Sequence, residues 1–327
     1  MDFQSDVLKG FTFSDHYYKF LPQHRFDRPI EARQRGRRER VMAELLQQVL
    51  NVLVLGSIYC LVASGLTLVY GIMHVPNFAQ GNLYMAGAYV VFFLESLFKI
   101  NYWFVFLATL LIMGAVGWTI EKVCFKPVRN APHVNSFVVA LGVLMAIEGL
   151  IVIFFGADYK EVEAPWKRIV DCYGVTIGGQ RLLLILGTFL VMAVLQYFIK
   201  RTKKGMSLDA MSQNRELALM VGINVNQMSL LAFMISTGLA GVAGALMAPV
   251  SFVYPAMGMT PLLVAFAAVI FGGMGNLSGA VLGSFIMAGA QVFSTQYLSS
   301  VFSDIAIFGI MIAVLLFRPK GILGGRG

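Results

Sequence analysis

Charge is scarce in this chain. Of its 327 residues only 13% are Asp, Glu, Lys or Arg, against 58% hydrophobic, which excludes a water-solvated domain of ordinary composition. Cysteine is nearly absent: Cys60, Cys124 and Cys172 are widely spaced and form no CxxC or metal-ligand pattern, so neither a disulfide framework nor a zinc site organises the chain. The four histidines include no HExxH motif. No GxxxxGK[ST] phosphate loop occurs, so the chain is not an ATPase of that kind. No metal and no cofactor is expected.

What remains is apolar. The mean hydropathy of +0.74 is spread over runs near 46–71, 82–98, 102–121, 136–156, 181–199, 228–247, 260–275, 277–296 and 304–317. Most approach the ~20 residues that cross a ~30 Å hydrocarbon layer as helix. In that layer each backbone N–H and C=O must be paired internally, which leaves helices or a closed barrel. Barrel strands alternate apolar and polar residues over about ten positions, whereas Ser136 to Phe155 is apolar on nearly every side. The expectation is an all-α polytopic membrane bundle of about eight transmembrane helices with one re-entrant or broken element.

The net charge of +8 fits a membrane protein whose basic residues mark the cytoplasmic side and its anionic lipids, not a nucleic-acid partner. Residues 1–44 form a basic extension with Arg25, Arg28, Arg33, Arg35, Arg37, Arg38 and Arg40 ahead of the first apolar run. It lacks the pattern of a signal peptide and is expected in the cytoplasm, on lipid headgroups; residues 45–327 are the membrane domain. Basic residues also mark the connections at 122–135 and 200–227 and the C-terminus as cytoplasmic, while Asp158 to Arg181, with balanced charges, fits the outside. Three apolar runs separate the tail from the loop at 122–135. A cytoplasmic tail therefore demands an irregularity, expected near residues 72–82.

Residues 73–82 contain Pro76, which cannot continue a helical ladder, and Gly81. Two readings fit: unwound backbone lining a route through the membrane, or a turn outside it. The first makes Asn77, Gln80, Gly81 and Asn82 candidate path residues, and a second glycine-dense segment, Gly272 to Gly279, adds Gly272 and Gly273. Small residues four apart, such as Ala240 with Gly244, fit close helix packing. Glu148 lies inside the fourth run, where an ionised carboxylate is costly, so it joins the candidates beside a purely structural reading. Ser64 and His74 do not specify a nucleophile with its base, so an intramembrane hydrolase is not supported.

The connection 200–227 reads as a short cytoplasmic helix with apolar Leu208, Met211, Leu217, Leu219 and Met220, capped by Ser207 or Asp209 and ended by Gly222. Such a helix suits a groove on a soluble partner, or a headgroup layer.

From about residue 45 onward the chain resembles the branched-chain amino-acid permeases of ATP-binding-cassette (ABC) importers, the LivH-type subunits. The resemblance rests on Leu55 to Tyr59 with Gly65 to Gly71, on Val75 to Gly81, on Glu216 to Asn224 and on Ala267 to Gly275. Gln80 stands where the family usually has histidine. The resemblance implies a non-enzymatic permease with a type II importer-like fold, working by alternating access in a bacterial cytoplasmic membrane. It further implies two cytoplasmic ATPase subunits, a second homologous permease and an extracytoplasmic substrate-binding protein, with Arg215, Glu216, Ala218 and Gly222 in the ATPase-coupling segment. Branched-chain amino acids are the expected cargo, with urea, short amides or aromatic acids as alternatives. An ion-coupled secondary transporter is the rival, and it needs an ionisable midplane group such as Glu148.

Overall fold

Apolar runs of membrane-spanning length become helices because no water is present to satisfy an open backbone. The computed structural model describes residues 30–73, 75–98, 102–129, 131–166, 168–172, 175–318 and 321–323. The chain divides into two units, Met1–Leu45 and Leu46–Gly327, and the description below concerns the second. In chain order the helices are α1 Ile30–Met73, α2 Gln80–Phe98, α3 Tyr102–Ile120, α4 His133–Phe155, α5 Gly179–Arg201, α6 Lys203–Gln213, α7 Arg215–Met220, α8 Val225–Met247, α9 Met259–Gly272, α10 Leu277–Tyr297 and α11 Ser300–Phe317. Among the described residues, 6 are long and apolar enough to cross a membrane by length and composition, and α9 and the apolar part of α11 are shorter.

One departure from an all-helical chain lies between α4 and α5, where β1 Ile169–Cys172 and β2 Val175–Gly178 form an antiparallel hairpin pairing Ile169 with Gly178. Two backbone bonds between Lys160 and Val253, of 2.8 and 2.9 Å, tie this outer segment to the α8–α9 connection. The core is built on α8, whose residues from Ser236 to Leu246 are buried between α2 and α3. Its small residues permit that: Gly244 faces the backbone of Tyr84 and Ala88, and Gly241 faces Gly87 and Met113.

The basic turn after α3, the connection 202–224 and the C-terminal residues gather at one end. Arg129 reaches Asn226, Gly71 abuts Ser212 and Gly275, and Ile322 N–H donates to the Phe271 carbonyl at 2.9 Å. By the positive-inside rule this end is the one expected in the cytoplasm. At the other end Arg181 donates to Asn51 Oδ1 at 3.5 Å, so residues 48–51 of α1 lie with the first turn of α5, on the outer side.

Near 72–82 the chain makes a turn between two helices, and α1 neither bends back nor breaks between Leu46 and Met73. It descends to the cytoplasmic end, the chain turns, and α2 starts again at Gln80. Gln80 lies beside Gly65, not beside Gly71. At ~1.5 Å per residue that places the start of α2 about 12 Å inside the inner end of α1 at Met73. The turn is held by Asn77, whose carbonyl accepts from Gln80 N–H and whose side-chain oxygen accepts from Ala79 N–H, both at 3.2 Å. Phe78 wedges it, stacked on Phe266 with centroids 4.8 Å apart and edge-on to Phe137 at 5.2 Å.

Candidate functional site

The connection after α5 contains two helices where one is expected. Thr202 caps α6 by accepting from Gly205 N–H, and Asn214 caps α7 by accepting from Leu217 N–H, both at 3.0 Å. The anticipated caps lie inside α6: Ser207 Oγ donates to the Lys203 carbonyl at 2.9 Å, because Thr202 starts the helix earlier. Leu208 and Met211 are buried and hold α6 to the bundle. α7 turns outward. Ala218 anchors it at 3% exposure, while Leu217, Leu219, Met220 and Val221 are 59%, 50%, 81% and 76% exposed. Glu216 is exposed, Arg215 half-buried, and Gly222 ends the helix at φ +83°, a left-handed conformation that other residues adopt only with strain.

Beside α7 lies a cluster that the sequence reading missed. α3 runs on into a π-helical turn, Glu121–Phe125, and then a 3-10 turn, Lys126–Val128, that contains Pro127. Widened turns of this kind often mark functional places in helices. Here Glu121 and Arg129 form an ion pair, and Arg129 also donates to Asn226 Oδ1 in the first turn of α8. The two side chains are 2% and 7% exposed. Burial, and after it the nearby Arg215 cation, lower the Arg129 pKa from its ordinary value. Arg129 and Arg215 share a water-sized cavity of about 20 Å³ with Met73 and Val75. The outward-turned α7 and the break between α1 and α2 therefore share one wall. The signal in the sequence was a carboxylate and a guanidinium flanking a proline at the end of an apolar run.

The residues singled out around the break serve contacts between helices. Gln80 is fully buried and reciprocally bonded: its Nε2 donates to the Ser236 carbonyl at 3.2 Å and its Oε1 accepts from Ser236 Oγ at 3.0 Å. Asn82 Nδ2 donates to the Leu144 carbonyl at 2.7 Å and to Glu148 Oε2 at 3.5 Å, which brings Asn82 and Glu148 together between α2 and α4. Gly81 meets Gly258 backbone to backbone at the start of α9. Gly272 and Gly273 belong to the other end of α9, where Gly272 meets Gly279 and its carbonyl accepts from Leu323 N–H at 3.2 Å. The length of α9 separates these two groups. His74, named with Ser64, lies outside the described residues.

Residues 48–315 match the family model described as the permease component of the branched-chain amino acid transport system. The chain belongs to that family. It is 33% identical over 295 residues to the high-affinity branched-chain amino acid transport system permease protein LivH of Salmonella typhimurium, covering 85% of this chain and 95% of that protein. The corresponding protein BraD of Pseudomonas aeruginosa is 32% identical over 293 residues, with 85% and 95% covered. A probable branched-chain amino acid transport permease protein LivH of Methanocaldococcus jannaschii is 33% identical over 292 residues, with 84% and 91% covered. The chain is thus a permease component and a multi-pass protein of the cytoplasmic membrane.

Two cavities with mixed polar and apolar linings open at opposite ends of this permease. The outer one, about 420 Å³, lies between the first turn of α5, the last turns of α10 and residues 48–55 of α1. The inner one, about 750 Å³, lies between the last turn of α5, the first turn of α10, and α6 with the residues that follow it.

Proposed function

We propose that this permease component imports branched-chain amino acids by alternating access, driven by cytoplasmic ATPase subunits and loaded by an extracytoplasmic binding protein. A second homologous permease and the surrounding lipids complete the assembly. The observation that carries this reading is α7. Four exposed apolar side chains stand on an otherwise basic cytoplasmic connection, held out by buried Ala218 and ended by Gly222. An apolar helix face beside charged residues suits a groove on a protein partner. Behind it the Glu121–Arg129–Asn226 cluster joins the end of α3 to the start of α8, next to the break. A push on α7 reaches both.

The basic extension belongs on the outer side in this reading, in place of the cytoplasmic position expected from its charge. Residues 48–51 lie at the outer end with Arg181, and α1, α2 and α3 then run down, up and down to the basic turn at 122–129.

The test is ATP hydrolysis and leucine uptake in proteoliposomes containing this chain with its candidate partner permease, ATPases and binding protein. Hydrolysis stimulated by loaded binding protein, and uncoupled from uptake by Met220→Asp and Gly222→Trp, supports the reading. Uptake that follows a proton or sodium gradient without any ATPase refutes it.

A further inference from the structure

The two cavities lie on one face of the molecule, and what separates them is apolar. On α5, Phe189 falls midway between Arg181 of the outer cavity and Gln196 of the inner one. On α10, Phe285 falls midway between Gln291 and Ser278 in the same way. At ~1.5 Å of rise per residue each ring stands about 10 Å from either cavity, near the middle of the membrane. The two rings stack, with centroids 6.4 Å apart and planes inclined by 16°. Phe285 lies against Gly56 of α1, where any side chain would collide with it. From outside to inside this face therefore carries a cavity with mixed walls, then an aromatic pair, then a second mixed cavity.

The outer cavity has a definite chemistry. Arg181 is the one charged residue among the described residues that line it. Its guanidinium makes one bond among the described residues, a long one of 3.5 Å to Asn51, so most of its donors are unspent. Around it stand the amides of Gln48, Asn51 and Gln291, and the cavity floor carries Val54 and Val292, both buried. Gln291 is itself fixed, accepting from Tyr59 Oη at 2.5 Å. A planar guanidinium with no carboxylate partner among the described residues is suited to bidentate capture of one. Amide oxygens can accept from an ammonium, and the valines offer an apolar wall. The volume of about 420 Å³ lies within the ~300–1,000 Å³ typical of small-ligand sites.

We propose that the outer cavity is a binding site for a zwitterionic amphipathic solute, held by its carboxylate on Arg181, and that stacked Phe189 and Phe285 close it from the inner cavity. This rests on the importer reading above. It assigns the route to the face made by α1, α5 and α10, not to the buried residues around Gln80.

Radiolabelled leucine binding to the purified, nucleotide-free complex without binding protein tests the proposal, with leucine uptake measured on the same complex in proteoliposomes. Bound label should be displaced by unlabelled leucine and not by leucinamide, which lacks the carboxylate. Arg181→Gln should weaken binding roughly tenfold or more, the size of a lost charge-assisted pair, and Arg181→Lys should weaken it less. If Arg181→Gln fails to assemble, the leucinamide competition on the wild-type complex decides alone. A wild-type complex that transports leucine, yet is displaced equally by leucinamide or binds unchanged after Arg181→Gln, overturns this site and leaves the importer reading standing. A wild-type complex that transports no amino acid at all overturns the importer reading, and this site with it.

Discussion

Replacing Glu121 by alanine strands a buried guanidinium. In the native protein Arg129, 7% exposed, is compensated by Glu121, 2% exposed, and by the Asn226 side chain, which is neutral. Removing one partner of a buried pair typically costs about 3–5 kcal/mol, because the remaining charge is left uncompensated. Part of that cost is relieved if water enters beside Arg129, where the small cavity lies, so about 3 kcal/mol is the working expectation. At ~1.4 kcal/mol per decade this is roughly a hundredfold in the unfolding equilibrium. Reversible unfolding of the purified protein in mixed micelles, followed by tryptophan fluorescence, measures it. Glu121→Gln, which keeps an acceptor but not the charge, should lose less. A Glu121→Leu, Arg129→Met double variant should recover most of the loss, since apolar replacement of a whole buried pair is often neutral. A Glu121→Ala variant within about 0.5 kcal/mol of wild type, the usual range for surface changes, would refute the account of a buried clamp.

Three further outcomes are expected. Gln80→Leu removes both bonds to Ser236 and leaves its buried hydroxyl without that acceptor, while its carbonyl keeps the helical bond, costing about 1–3 kcal/mol in the same unfolding assay. Gly81→Val forces a side chain into the backbone of Gly258, with an overpacking cost of about 1–3 kcal/mol and reduced yield of folded protein. A single cysteine at position 20, in a background lacking the native cysteines, should react with a membrane-impermeant maleimide applied from outside. Labelling only after the cytoplasmic membrane is opened would return the extension to the cytoplasm.

The helices were legible because membrane spans carry their own signal: the run 136–156 becomes His133–Phe155 and the run 277–296 becomes Leu277–Tyr297. The break at 74–79 was legible too, since Pro76 and Gly81 interrupt an apolar stretch. What its residues touch was not. Gln80 finds Ser236 across 156 residues of chain, and Asn82 finds Glu148 across 66, so nothing local in the sequence marks either pair. The sequence showed polar groups at membrane depth and left open a solute route, a turn or bonding between helices; in the fold Gln80 and Asn82 bond to neighbouring helices. The outer hairpin escaped for a different reason. Four-residue strands in a charge-balanced loop have too little periodicity to read. Arg181 was read only as one of the charges of that loop, because its amide neighbours come from α1 and α10.

The corner between α5 and α6 is where movement of the cytoplasmic connection should reach the inner cavity. A single residue, Thr202, separates the helices. Its hydroxyl donates to the Phe198 carbonyl at 2.8 Å and accepts from Gly205 N–H at 3.0 Å, so one side chain bonds the end of α5 to the start of α6. Gly205 sits directly on the backbone of Phe198 and Ile199. α6 also supplies Ser212 against Gly71 of α1, and Asp209 and Gln213 to the inner cavity. A stiff corner makes α5 and α6 move as one, so a displaced α6 opens or closes the space between α5 and α10. Thr202→Val keeps the shape and removes both bonds, at a cost near the ~1 kcal/mol of a lost cap, small enough to leave the protein folded. Its effect should appear in coupling: binding-protein-stimulated ATP hydrolysis persists while leucine moved per ATP falls. If that ratio stays at the wild-type value, the corner is only a helix cap, and the drive to the inner cavity must run through the Glu121–Arg129 clamp.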